Sequence, residues 1–339
     1  MKKFLVAMMI LAVVLTPVFA GGAQEESGEK EYKIAWYAPA VHPYFDAVQK
    51  GVKAFEADTG IAIHQQIGPD WIQDSETQNV EALAAKGYDA FTIYPTDPTG
   101  ANSLYEELTE RGKYVTNFGT STSLPTTASF AVATDVKVAA MDAAEFLIEK
   151  MGGKGKILNV LEVLTDANTK LRKEGVEEVV AKYPDVEIVQ EVGDINSIED
   201  ATEKIENAIS ANQGNIDGVI CTGYTTTVAA TQLLVELNAS GSDRIAFIGI
   251  DDDPIVLDAI RDGSIDGTIA QNPFGHGYIT CKALTYLIDG YTPKEGVYFI
   301  NSGVAVVTAD NVDSYSEDLT AVTNEIISSM ETTYLNAPK

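Results

Sequence analysis

Apolar residues along this chain come in short unbroken runs that alternate with longer stretches of helical period. The runs lie at 33–38, 61–67, 89–94, 114–118 and 128–133. Between them, 44–59, 73–86 and 99–111 repeat their apolar positions every three to four residues. Unbroken apolar runs mark strands buried on both faces, as in a parallel sheet. The theme then restarts. A helix is predicted over 136–151, closed by Gly152-Gly153, followed by strands at 156–163, 186–192, 216–221, 245–250 and 266–271. Helices at 168–183, 197–212 and 225–238 separate the strands. Such alternation implies right-handed βαβ units. The fold class is therefore α/β, with two doubly wound parallel sheets in succession, forming two lobes with a cleft between them. The length of 339 residues suits two lobes with a core each. The stretch 319–335 has apolar residues at helical spacing and is expected to pack on the second lobe.

The beginning of the chain reads differently. Lys2 and Lys3 precede an apolar run, 4–15, that is too short to span a bilayer. Val18-Phe19-Ala20 before Gly21 fits a small-residue cleavage site, so 1–20 is read as a signal peptide of an exported, periplasmic protein. Residues 21–31 are rich in Gly, Glu and Ser without apolar period, and read as a disordered tether. Removing Lys2 and Lys3 from the 23 basic residues leaves 21 against 50 acidic ones, a net charge of −29. That field repels nucleic acid and anionic lipid. Cys221 and Cys281 are expected as buried free thiols, one at a strand end and one mid-helix. His42, His64 and His276 lack metal-ligand spacing, and no cofactor is expected. Neither a Gly-x-Gly-x-x-Gly nor a Gly-x-Ser-x-Gly pattern is present, which argues against dinucleotide chemistry and a nucleophile elbow. The chain is read as a binding protein and not an enzyme.

The segment from Phe247 to Pro273 carries the most chemistry. Asp251 ends one predicted strand and Gln271 ends the next. Ligands of open α/β sheets sit outside the carboxyl ends of the parallel strands. A carboxylate beside an amide there suits a ligand rich in hydroxyls. Asp253 precedes Pro254 and reads as a helix cap.

These residues resemble the periplasmic sugar-binding proteins of ABC importers, typified by ribose-binding protein, and the likeness runs from about Tyr32 to Thr308. The resemblance implies the type I periplasmic binding protein fold, with three chain crossings forming a hinge near 134–135, 271–272 and 301–302. The N-terminal lobe then takes 32–134 plus 272–301, and the C-terminal lobe 135–271 plus 302–339. In Ala38-Pro-Ala-Val-His-Pro-Tyr-Phe45, Tyr44 and Phe45 match rings that cover the sugar, with His42 beside them; Phe45 also fits the core face of a helix. Tyr94 stands where the family has a sugar-touching Asn, and Asn117 lies where it has Asp-Arg. Arg172 falls three residues before Gly175, at the spacing of the family's ligand-forking Arg, with Asp166 and Asn168 at the same helix start. Tyr224 replaces an Asp, and Gly223 an Asn. These departures argue against plain ribose. The implied ligand is a monosaccharide or related polyol, the implied partner an ABC permease, and a chemoreceptor is left open. A monomer is expected. The alternative is an autoinducer-2 or chemotaxis signal receptor of the same fold: Ile67-Gly-Pro-Asp-Trp71 is similar to that branch, although its first-loop Lys is missing.

Overall fold

The structure, a computed structural model, describes residues 31–195, 197–212, 215–241 and 244–338. The expected signal peptide and, apart from Glu31, the expected tether lie outside the described residues. The chain begins with β1 (Ile34–Ala38), α1 (Pro43–Thr59), β2 (Ile63–Ile67), α2 (Gln73–Ala85), β3 (Ala90–Ile93), α3 (Ala101–Glu110), β4 (Tyr114–Phe118) and β5 (Phe130–Ala133). It continues with α4 (Val136–Lys150), β6 (Gly155–Val160), α5 (Ala167–Val180), β7 (Val186–Val192), α6 (Ile198–Asn212), β8 (Gly218–Cys221), α7 (Tyr224–Ala239), β9 (Ala246–Ile250), α8 (Pro254–Arg261) and β10 (Gly267–Gln271). It ends with α9 (Pro273–Ile288), β11 (Thr292–Pro293), β12 (Phe299–Asn301), β13 (Val304–Val307), α10 (Tyr315–Ser328), α11 (Met330–Thr333) and β14 (Leu335–Asn336).

Among the described residues two six-stranded sheets form, in the orders β12-β5-β4-β3-β1-β2 and β13-β10-β9-β8-β6-β7. Within these two sheets strand pairs are parallel except β10–β13, which is antiparallel. The order reverses between β1 and β3 in the first sheet and between β6 and β8 in the second. A crevice opens at each such switch point, because the loops there diverge to opposite faces.

Successive residues of a strand face opposite sides, and β1 uses both. Trp36 joins Phe45, Phe118 and Phe130 in the core under α1 and α9, while Tyr37 joins Phe91, Leu83 and Tyr105 under α2 and α3. The α1–α9 contact is close because glycines line it. A Cβ on Gly51 would sit 1.9 Å from the Phe274 carbonyl oxygen, and one on Gly277 would sit 2.1 Å from that of Val48. Cys221 and Cys281 are buried free thiols in the cores of different sheets.

The chain passes from the first sheet to the second after β5, returns after β10, and passes again between β12 and β13. Side-chain amides tie these passages together. Asn301 Oδ1 accepts from the N–H groups of Asp135 and Gly303, both at 3.1 Å. Asn272 Nδ2 donates to the Ser302 carbonyl at 2.8 Å.

The C-terminal stretch, expected on the second lobe, packs against both. Leu319 lies in the core of the second sheet, whereas Ile326, Met330 and Leu335 lie in that of the first. The helical period correctly marked an apolar face. It carried no information about where along α10 the neighbouring core changes. Strand pairing of β14 with β11 then fixes the end of the chain to the first lobe.

Candidate ligand-binding site

The loops at the carboxyl ends of the strands converge on a cavity of about 560 Å³ reached from both sheets. Its first-sheet wall is aromatic. His42 and Tyr44 come from the β1–α1 loop, Trp71 from the loop after β2, Tyr94 from the end of β3, and Phe299 from β12. Its second-sheet wall holds Asn168, Leu171 and Arg172 from α5 and Gln271 from the end of β10. Gly119, Thr120 and Ser121 line the floor beside Ala133 to Lys137, where the chain changes sheets.

Local chemistry holds each group in place. His42 caps α1: its Nδ1 accepts from the Tyr44 N–H at 3.1 Å, with Pro43 at the first helical position. Since Nδ1 accepts, Nε2–H is the ring group left to donate. The Tyr44 hydroxyl lies against Gly119, where a Cβ would sit 2.2 Å from it; at φ +75° the backbone also favours glycine. Trp71 is half exposed and stands edge-on to Tyr94, with ring centres 5.4 Å apart at 90°. Burial, and then the Asp166 carboxylate across the cleft, push the Tyr94 phenol above its ordinary pKa.

Behind Gln271, Asp251 adopts φ +73°, a left-handed conformation that Asp tolerates better than most residues. Gln271 Nε2 donates to Asp251 Oδ1 at 2.7 Å. Burial raises the Asp251 carboxyl above the ordinary range, while the Gln271 hydrogen bond and the Arg172 charge pull it back. Arg172 Nε is buried without a hydrogen-bond partner among the described residues.

Of the residues singled out from the sequence, His42, Tyr44, Tyr94, Asn168, Arg172 and Gln271 line this cavity, with Asp251 one hydrogen bond behind. Phe45, Asn117, Asp166 and Tyr224 do not line it, each for a physical reason, although the Asp166 charge reaches Tyr94. Phe45 is fully buried and packs edge-on to Trp36 and Phe118, supporting the wall from behind. Asn117 is buried and donates to Tyr298 Oη at 2.9 Å and Thr122 Oγ1 at 3.2 Å, anchoring the loop after β4. Asp166 caps α5 by accepting from the Thr169 N–H at 2.7 Å. Tyr224 is 49% exposed and donates to Asp253, the residue that caps α8.

Two ring residues, Trp71 and Phe299, escaped the sequence reading as pocket residues. The Gly-Pro-Asp-Trp run after β2 was the available signal for the first; Phe299 sits in a weakly patterned stretch that gave none. Glu162 was also missed, although a carboxylate interrupting an apolar strand end is a visible signal. Its Oε1 accepts from the Thr225 N–H at 2.9 Å, and its Cδ lies 2.2 Å from where a Cβ on Gly223 would be. Glu162 therefore fills the space that glycine leaves at 223.

Residues 37–292 match the family described as periplasmic binding protein domain. The chain belongs to the periplasmic binding protein family. Within the family it is 24% identical over 239 residues to the xylitol-binding protein of Mycolicibacterium smegmatis, covering 70% of this chain and 66% of that one. It is 25% identical over 285 residues to the ribose import binding protein of Bacillus subtilis, covering 83% and 90%. Among solved structures, an arabinose-binding protein from Geobacillus stearothermophilus superposes with a TM-score of 0.73 at 19% identity, over 84% of this chain and 99% of that one. The structural likeness carries the fold, and the two-sheet arrangement described above is that of the family. Among the described residues, no helix is long and apolar enough to cross a membrane.

Proposed function

We propose that this protein is the exported solute-binding component of an ABC importer, and that it holds a monosaccharide or related polyol in the cavity between its two sheets. One observation carries the reading: an aromatic wall from the first sheet faces an Asn168–Arg172–Gln271 wall from the second across a single cavity. Flat C–H faces of a sugar are apolar and pack on rings, while hydroxyls need donors and acceptors with fixed directions. A ligand touching both walls favours the closed arrangement by its differential affinity for it. The chain passages at 134–135, 271–272 and 301–302 act as the hinge, and the closed form is delivered to a membrane permease. Relatives named for xylitol and ribose binding support the ligand class. The basic and apolar beginning of the sequence supports export.

The test is thermal unfolding of residues 21–339 with pentoses, hexoses, deoxysugars, polyols and autoinducer-2. Ligand at a hundred times its Kd adds about 2.7 kcal/mol, enough to raise the melting temperature by several degrees. A shift with sugars or polyols is the expected outcome. A shift with autoinducer-2 alone replaces the transport reading with signal reception. No shift from protein stripped by unfolding and refolding removes the carbohydrate reading.

A further inference from the structure

A line of hydrogen bonds leaves the cavity and ends where the chain changes sheets. The Tyr44 hydroxyl, in the cavity wall, is 2.7 Å from His276 Nδ1. His276 Nε2 is 2.8 Å from Ser302 Oγ. Ser302 lies between β12 and β13; its N–H donates to the Ala133 carbonyl at 2.9 Å and its own carbonyl accepts from Asn272. Asn272 Nδ2 also reaches Thr323 Oγ1 on α10 at 2.9 Å. His276, Ser302, Asn272 and Thr323 are all buried. A buried polar chain of this kind is worth keeping only if every member is satisfied, and an apolar side chain at 276 would pack in the same place without that demand. The histidine therefore has a job beyond filling space.

The polarity of the line follows from acid–base strength. A phenol, with a pKa of about 10, is a good donor, and a neutral imidazole nitrogen, with a conjugate acid near 6.5, is a far better acceptor than a phenol oxygen. Burial alone drives the His276 pKa down to about 3, so the ring is neutral and holds one proton. Burial, then the neighbouring Tyr94 phenol, raise Tyr44 well above its ordinary value, so it keeps its proton. Two neutral tautomers fit these contacts, and acid–base strength favours one. Tyr44 donates its O–H to Nδ1, and Nε2–H donates to Ser302 Oγ.

We propose that His276 is a positioning residue: it takes the Tyr44 hydroxyl hydrogen on Nδ1, gives its Nε2–H to Ser302, and so presents the Tyr44 oxygen to the cavity as an acceptor while joining the cavity wall to the chain passage at Ser302. The part that concerns ligand rests on the function proposed above. A ligand is then selected for a hydroxyl donor opposite Tyr44, and the wall that meets it is bonded to the segment that must rotate for closure.

Two measurements test this, the first without ligand. In protein labelled with ¹⁵N-histidine, with His276 assigned by the signals lost in His276→Gln, the ring is expected as the Nε2–H tautomer without titration between pH 5 and 8. Its Nδ1 signal moves in Tyr44→Phe and its Nε2 signal in Ser302→Ala. A ring that titrates in that range, carries its proton on Nδ1, or ignores Tyr44→Phe overturns the proposal. The second measurement is a double-mutant cycle with D-ribose and xylitol as probes, folding being checked by the unliganded melt. Tyr44→Phe and His276→Phe are each expected to weaken binding about tenfold, and the double variant no more than Tyr44→Phe alone. Additive losses, or a full-affinity His276→Phe, overturn the role of His276 through Tyr44. If neither probe binds the parent protein, the ligand of the cavity is another member of the panel above, and the histidine signals still decide the positioning role.

Discussion

At the scale of single residues, Asp251 shows what a binding site costs its fold. Its carboxyl titrates above the ordinary range because of burial. The folded state thus prefers the protonated form, a contribution to stability present at low pH and lost as pH rises through the raised value. At neutral pH the ionised group destabilises the unliganded protein. Asparagine keeps the shape, tolerates positive φ, and removes the charge. Asp251→Asn is therefore expected to raise the melting temperature of the free protein at pH 7 while weakening ligand by roughly 1.5–3 kcal/mol, the worth of the charged hydrogen bond that orients Gln271 in the cavity wall. In the parent, affinity should fall on acidification sooner than an ordinary carboxylate would allow, and the variant should lose that limb; calorimetry from pH 4 to 7 checks both. Arg172 is expected to behave differently. Its Nε is unpartnered in the free protein, but its charge offsets that of buried Asp251, so Arg172→Ala should lower the melt at pH 7 and weaken binding by roughly 2–5 kcal/mol. A loss of affinity under about 0.5 kcal/mol would mean the guanidinium points to solvent when ligand is bound.

Elements were the most legible level of the sequence. The strands at 114–118 and 186–192 and the helix beginning at 73 are found where the apolar period put them, because buried parallel strands and amphipathic helices write their environment into local pattern. What the pattern did not contain is partnership between elements. The glycines at 51 and 277 are unremarkable singly, yet each lets α1 and α9 approach until backbone meets backbone. Gly277→Ala must push the helices apart and should cost about 1–3 kcal/mol as an overpacking change, read as a lower melting temperature and a smaller denaturation midpoint. The same limit explains the site. Strand-end residues such as Gln271 were readable from position alone, whereas Trp71, Phe299 and the Glu162–Gly223 exchange depend on which loops meet, and Phe45 was pulled into the core by rings from three other elements.

For the whole molecule, what matters is how three chain passages are joined. Asn301 binds one backbone N–H at each of two of them through a single oxygen. Asn301→Ala leaves all cavity-lining side chains in place but unties the passages. It is expected to broaden the unliganded ensemble in small-angle scattering and to weaken binding by roughly threefold to tenfold through a smaller competent population. Unchanged scattering and affinity would show that the passages move independently of this amide. The C-terminal segment adds another consequence. Tyr32 Oη donates to Asp289 at 3.0 Å, and Pro338 lies 3.7 Å from the position of a Cβ on the next residue, Gly290. Among the described residues, the two ends thus meet beside Asp289 and Gly290 in the first lobe, away from the second. Residues 338 and 32 can be linked by a short flexible peptide and the chain reopened in a second-lobe surface loop, giving a circular permutant in which a fluorescent reporter inserted at the new ends would ride on the swinging half of the molecule.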